Sequence, residues 1–323
     1  MTQVTFADAP GRAALDTDVL LSSFKAAPSL PFLPITQDAV YAFIPGAAAP
    51  DQLATSGAAG AMLTVLPDAL GRLTWLDGSG APVDHGIQTD SAGAAPFQIP
   101  TLTSADAGIN GKPAMLCQNV RCGIYHVDPA SAGAQLVPNL NTLADELTDA
   151  YCEIVVFAGP AGQTGRVFGQ AANRDGNETD IADAGSGFGF LASANAGQML
   201  YQHRADAGEA TSANRVVFAC ALGDWAPTLA VIRCQPSGGA HAGEVRVASG
   251  GVTTVQPFSF AEPLALSGPM PWTFTGVLSN TIKGAGVNTN ERKVTYRSRL
   301  NHYPTDAEMT RIMEWFATNY GPF

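Results

Sequence analysis

The sequence predicts an all-β protein: a two-sheet antiparallel sandwich closed by a single C-terminal helix. Three observations lead there. Charged residues make up only 14% of the 323, while glycine and proline number 34 and 22, a composition suited to many short strands and tight turns. From Asp38 onward, apolar and β-branched runs recur roughly every ten residues and stop at turn-forming residues. Clean helical periodicity occurs only at the C-terminal end.

The strands follow in order. AVYAFI (39–44) ends at Pro45-Gly46, AMLTVL (61–66) at Pro67-Asp68, and RLTWLD (72–77) at Gly78. A long small-residue connection covers 78–108, and Asn110-Gly111 then turns the chain into KPAMLC. NTLADELTDA (141–150) reads as a short helix before YCEIVVFAG, the most apolar strand. The loop GPAGQTG (159–165) lacks the Gly-Lys-Ser/Thr ending of a phosphate cradle and reads as a hairpin into RVFGQA. FGFLASA, QMLYQHR, RVVFACAL and TLAVIRC continue the series, and EVRVASGGVTTVQPF is a hairpin about Ser249-Gly250-Gly251.

In KVTYRSRL (293–300), alternation puts Val294, Tyr296 and Leu300 on one side and Lys293, Thr295, Arg297 and Arg299 on the other. The basic run Lys283, Arg292, Lys293, Arg297 and Arg299 therefore reads as a solvated strand face. In TDAEMTRIMEWFATNYGPF, Thr305 and Glu308 form a capping box that starts a helix over 305–320. Met309, Ile312, Met313 and Phe316 supply its apolar face, and Gly321 with Pro322 stops it, the glycine offering a left-handed conformation. Residues 1–37, with Pro28, Pro31 and Pro34 at regular spacing, read as an extended arm, leaving 38–323 as the sandwich.

A net charge of -11 argues against nucleic acid as a partner, and no apolar run is long enough to span a membrane. The N-terminal stretch lacks the basic-then-apolar pattern of a signal peptide. The five cysteines (Cys117, Cys122, Cys152, Cys220 and Cys234) match no zinc spacing and read as small buried hydrophobes.

Several segments, in their order and spacing, resemble the laminin-G-like (concanavalin A-like lectin/glucanase) domains of bacteriophage virion proteins. These are INGKPAMLC, YCEIVVFAGPAGQTGRVFG, GFGFLASANAGQMLYQHR, DWAPTLAVIRC through EVRVASGG, and the final strand and helix ending in "YG". The resemblance covers about residues 38–323 and implies a jelly-roll sandwich, a fold that hosts lectins, glycosidases and plain structural modules alike. It implies a virion protein of a phage or gene transfer agent: a head spike, fibre or tail-associated module assembled in host cytoplasm. The arm at 1–37 would contact other virion proteins, exposed loops would contact host surface polysaccharide, and display at a symmetric vertex would favour a homo-oligomer.

One acidic constellation invites chemistry: Asp175, Asn177, Glu178, Asp180 and Asp183. Its glycine-rich setting favours a solvated loop. The alternatives are a calcium or polar-ligand site built from carboxylate and amide oxygens, and paired glycosidase carboxylates at Glu178 and Asp180. The latter segment resembles a degraded Glu-x-Asp-x-x-Glu signature of laminarinase-like glucanases. Aromatic candidates for sugar stacking are Trp75, Trp225, Trp272 and Tyr125 beside His126, with core or rim packing as the alternative. No cofactor is expected apart from that calcium alternative. No serine elbow or Cys/His pair suggests a nucleophile.

Overall fold

A computed structural model of the chain describes the backbone of the elements named below and of residues 101–117, 150–162, 197–204, 214–237, 240–261, 291–300 and 302–323. Side chains are described for 103–116, 150–162, 197–202, 214–235, 241–261, 291–300 and 302–323. The first ten strands are β1 (Ala39–Phe43), β2 (Leu53–Thr55), β3 (Ala61–Leu63), β4 (Trp75–Leu76), β5 (Pro82–Val83), β6 (Thr101–Leu102), β7 (Met115–Cys117), β8 (Cys122–Ile124), β9 (His126–Val127) and β10 (Leu136–Val137). The longer strands follow: β11 (Tyr151–Ala158), β12 (Gly165–Ala171), β13 (Gly187–Ala192), β14 (Gln198–Arg204), β15 (Arg215–Ala219), β16 (Thr228–Ser237), β17 (Ala240–Ser249), β18 (Val252–Phe260), β19 (Trp272–Thr275) and β20 (Arg292–Leu300). Helix α1 (Asp306–Asn319) closes the chain.

The architecture is the expected antiparallel sandwich of two sheets. The larger runs β18-β17-β16-β11-β20-β7-β6-β3-β2, with β1 sharing the β7 side of β20; the smaller runs β15-β14-β13-β12-β19-β8. Strand β11 pairs with β16 and β20, whereas β12 pairs with β13 and β19. The loop at 159–165 is therefore a crossover between sheets, correcting the expected hairpin. Adjacency in sequence suggested a hairpin, but both sides of β11 are filled by strands far along the chain. The expected arm at 1–37 and the short helix at 141–150 fall on residues outside those described.

Register assigns the two faces of the large sheet. Cys152, Ile154, Val156, Leu229, Val231, Tyr296 and Leu300 share a face with Met309, Ile312 and Phe316 of α1. Burying each of those three helix side chains contributes roughly 1.5–3 kcal/mol. Tyr151, Glu153, Val155 and Phe157 point the other way, between the sheets, where the Tyr151 hydroxyl is hydrogen-bonded to that of Tyr201 on β14. Tyr201, Phe258 and Phe260 form a ring cluster there, with centroid separations of 5.1, 6.0 and 4.7 Å.

The basic strand is the largest departure from expectation. Arg292, Arg297 and Arg299 are buried, at 1%, 0% and 1% exposure, and β20 is not a solvated strand. It lies inside the large sheet, with β11 along one edge and β7 with β1 along the other, while α1 covers its Tyr296/Leu300 face and the face carrying Arg297 and Arg299 is buried between the sheets. Arg297 Nε donates to Glu153 Oε1 at 2.6 Å and Arg299 Nε to Glu153 Oε2 at 2.9 Å. One fully buried carboxylate thus bridges two buried guanidiniums. Burial alone pulls Arg292 down to about 10.

The helix start is as read from sequence. Thr305 Oγ1 accepts the Glu308 amide at 3.3 Å, and the Thr305 amide donates to Glu308 Oε2 at 2.8 Å. Arg233 anchors this end to the sheet: Nη1 donates to Pro304 O and Nη2 to Asp306 Oδ1, both at 2.5 Å, while Glu244 lies 3.1 Å from Nη2. The helix end differs. Gly321 is not left-handed; Tyr320 caps at φ -126, and the Tyr320 and Gly321 amides both donate to Phe316 O. Glycine is needed at 321 for close approach, since a Cβ there would meet Ala317 O at 2.3 Å. Asn110 Nδ2 then donates to Tyr320 O at 2.5 Å and Pro322 O at 3.1 Å, and the Gly251 amide to Phe323 O at 2.7 Å.

The Asn110-Gly111 and Gly250-Gly251 turns are as expected, each with positive φ at both central positions. Counting pairs from the second turn, residue 257 has its amide position facing away from β17. Proline occupies it, and Gln256 Nε2 donates to the Pro257 carbonyl at 2.7 Å. This blunts the outer edge of β18.

Two outcomes follow. Glu153→Ala leaves two buried guanidiniums without their shared carboxylate and should lower unfolding free energy by about 3–5 kcal/mol in urea titration. Asp306 is held below the usual carboxylate range by its hydrogen bond from Arg233, and Glu308 by the Thr305 amide. Depressed folded-state values mean that their stabilisation is complete above the ordinary carboxylate range and lost as pH falls through the depressed values. Near-UV circular dichroism should report loosening of α1 in acid, with a flatter profile for Asp306→Asn combined with Glu308→Gln.

Candidate functional site

Of the ten candidate site residues read from sequence, the structure describes the side chain of Trp225. Asp175, Asn177, Glu178, Asp180 and Asp183 lie outside the described residues, as does Tyr125; for Trp75 and Trp272 only the strand backbone is described. Among the described residues there is no group of His, Cys, Asp and Glu arranged to hold a metal ion.

Trp225 sits in the connection from β15 to β16, at the end of the sandwich where α1 terminates. Its backbone is left-handed, at φ 52, a conformation that bulky side chains rarely adopt. The connection is fastened twice: the Trp225 amide donates to Gly159 O at 2.8 Å, and Asp224 Oδ1 accepts the Ala161 amide at 3.0 Å. Gly159 leaves room beside that contact for the Arg292 guanidinium, which would have to shift to admit a Cβ. The indole is half-buried against the helix-side core, and Lys293 Nζ stands 4.7 Å from its ring centroid. Of the alternatives read from sequence, the packing shown here is that of a rim residue.

Lys293 pairs with Ala158, which places its side chain on the helix-covered face of the large sheet. Lys112, following the Asn110-Gly111 turn, stands on the same side, its Nζ 5.9 Å from the Tyr320 centroid. Tyr320 lies edge-on to Tyr296, with centroids 5.5 Å apart. Thr295 Oγ1 donates to Pro113 O at 2.8 Å and ties the two lysine-bearing segments together. Sequence reasoning passed over both lysines. The signal for Lys112 was its place beside a turn; for Lys293 it was hidden in the basic run.

Two described acids and three described thiols are committed to structure. Glu153 is held by two arginines, and Glu244 pairs with Arg233 and Arg246. Cys152, Cys220 and Cys234 are free and buried, as expected. Burial raises all three thiols, Cys234 to about 12, so they are poor nucleophiles at neutral pH.

No protein-family model matches the sequence, and no curated protein matches it. Among solved structures, the chain is similar to a botulinum neurotoxin serotype D/C binding domain, with TM-score 0.42 and 7% identity over 87% of this chain and 52% of that one. It is also similar to Trypanosoma rangeli sialidase in complex with sialic acid, with TM-score 0.45 and 12% identity over 89% of this chain and 34% of that one. The chain therefore spans about half the length of the first of these structures and a third of the second. Likeness at this level says nothing about ligand or activity.

A cation over an indole near the surface contributes about 0.5–1 kcal/mol. Lys293→Met keeps most of the aliphatic stem, so its urea midpoint should correspond to a loss of no more than about 1 kcal/mol.

Proposed function

We propose that this chain is a virion structural protein that displays its sandwich for attachment to host surface polysaccharide. The observation that carries the attachment reading is Trp225: an aromatic side chain held in a left-handed backbone at the loop end of a rigid sandwich, with its connection fastened to Gly159 and Ala161. Such backbone outliers persist where the surroundings hold them, and they cluster at ligand-contacting sites. Half-exposed aromatic rings beside polar groups are how β-sandwiches commonly meet sugars.

The sequence resemblance to laminin-G-like virion proteins supports the particle, with residues 1–37 as the segment contacting capsid or tail proteins and host cytoplasm as the place of assembly. A jelly-roll topology of concanavalin A type belongs to the same proposal. So does a subordinate role for calcium, ordering the acidic loop at 173–187 through Asp175, Asn177, Glu178, Asp180 or Asp183.

The test is binding of the purified protein to capsulated host cells and to an isogenic acapsular strain at physiological salt. Capsule-dependent binding without release of reducing sugar is expected. Equal absence of binding to both strains would overturn attachment and leave a structural module. Release of reducing sugar that disappears in Glu178→Ala with Asp180→Ala would replace attachment with hydrolysis.

A further inference from the structure

We infer that Asn110 is a deamidation site, and that its conversion to an aspartyl or isoaspartyl side chain unlatches, irreversibly, the segment that follows α1. This covalent change stands apart from the attachment reading and does not depend on it.

Asn110-Gly111 is the one Asn-Gly pair among the 323 residues; every other asparagine is followed by a residue with a side chain. The pair occupies the two central positions of a turn, with φ 47 and 72. Ile109 and Lys112 exchange that turn's backbone hydrogen bonds, at 3.0 and 2.9 Å, so the Gly111 amide is not needed to close it. Asn110 is exposed, and a Cβ built at Gly111 would meet nothing within 4 Å apart from its chain neighbours. Water and base therefore reach both reacting groups, and glycine offers a backbone nitrogen that no side chain shields.

The same asparagine is a latch. Its Nδ2 donates to Tyr320 O at 2.5 Å and to Pro322 O at 3.1 Å, while the Gly251 amide donates to Phe323 O at 2.7 Å. An amide nitrogen carries two donors, and Asn110 uses both on this segment. A carboxylate in its place carries none and sets a negative charge against two carbonyl oxygens. Tyr320 is buried against Tyr296 and Phe316, so freeing its carbonyl loosens the end of the helix-side core.

The chemistry balances with water alone. Hydroxide takes the Gly111 amide proton, and the nitrogen attacks Asn110 Cγ. The new N–Cγ bond forms, the Cγ–Nδ2 bond breaks, and the departing nitrogen takes a proton from water, leaving as ammonia and restoring the hydroxide. Water then adds to either carbonyl of the cyclic imide and opens it to an aspartyl or isoaspartyl carboxylic acid, which ionises. Nδ2 must release both carbonyls before it can leave, so conversion draws on the unlatched fraction, and its product cannot close the latch again.

The experiment incubates the full chain in mildly alkaline buffer and follows each asparagine by peptide mass mapping, with amide hydrogen exchange read on the same samples. Asn110 should convert ahead of every other asparagine. In the converted fraction the Gly251 amide should exchange about tenfold or more faster, the factor expected when two neutral hydrogen bonds are lost together. Aspartate tolerates the same left-handed backbone, so Asn110→Asp should show that exchange without incubation. The amides of Ile154 and Ile232 record the state of the large sheet and should not change. Gly321→Ala brings a Cβ against Ala317 O, displaces the latched segment and should speed conversion at Asn110. Conversion of Asn110 no faster than that of the other asparagines would overturn the modification site. Unchanged Gly251 exchange in Asn110→Asp, or equal acceleration at Ile154 and Ile232, would overturn the latch. The incubated unsubstituted chain gives the same reading should the variant fail to fold.

Discussion

Glu153 is the constraint on which the sandwich depends. Burying two guanidiniums between sheets is unfavourable by several kcal/mol each unless a carboxylate meets them. Glu153 does so with one oxygen for Arg297 and the other for Arg299. The bridge also fixes register. Sliding β20 by one residue would turn both arginines onto the face occupied by Ile154, Val156 and α1, where the described lining is largely apolar. Ionic pairing therefore specifies which residues of β11 and β20 meet, while the surrounding Val155, Phe157 and Ile232 supply the burial.

On the opposite face of the same strands, α1 is part of the core rather than an appendage. Arg233 holds its start through Pro304 and Asp306, and Asn110 and Gly251 hold the segment after it. The turns that fasten this segment are the ones that form the rim around Lys112, Trp225 and Lys293. Fold stability and the shape of the candidate binding surface thus rest on the same hydrogen bonds.

Local chemistry was legible in the sequence and long-range pairing was not. The Thr305/Glu308 cap, the two positive-φ turns and the apolar face of α1 depend on residues within a few positions of one another, and they stand as read. The crossover at 159–165 and the burial of Arg297 and Arg299 depend on which strands fill the flanks of β11 and β20. Alternation in KVTYRSRL separates Arg297 and Arg299 from Tyr296 and Leu300 as expected. A register irregularity between Val156 and Phe157 moves Lys293 to the helix-covered face and Val294 to the face between the sheets, and alternation does not say which face is wet. One clue was available: Glu153 is the lone acid in the most apolar strand, and a buried acid demands a cation. For the site, residue type singled out Trp225. The lysines above Trp225 and Tyr320 acquire these neighbours only once β20 and the 109–112 turn are brought to the same end.

The pairing of β11 with β20 has a kinetic consequence. Glu153 and its partners are separated by 144 and 146 residues, so the middle of the large sheet is closed by one of its most distant contacts along the chain. Closure entropy for such a loop must be met before the contact is rewarded, which places the protein among slow-folding, high-contact-order topologies. Until β20 arrives, β11 presents an unpaired flank and a carboxylate without its arginines. That charge disfavours intermolecular strand addition at the moment when the nascent sheet is most open to it.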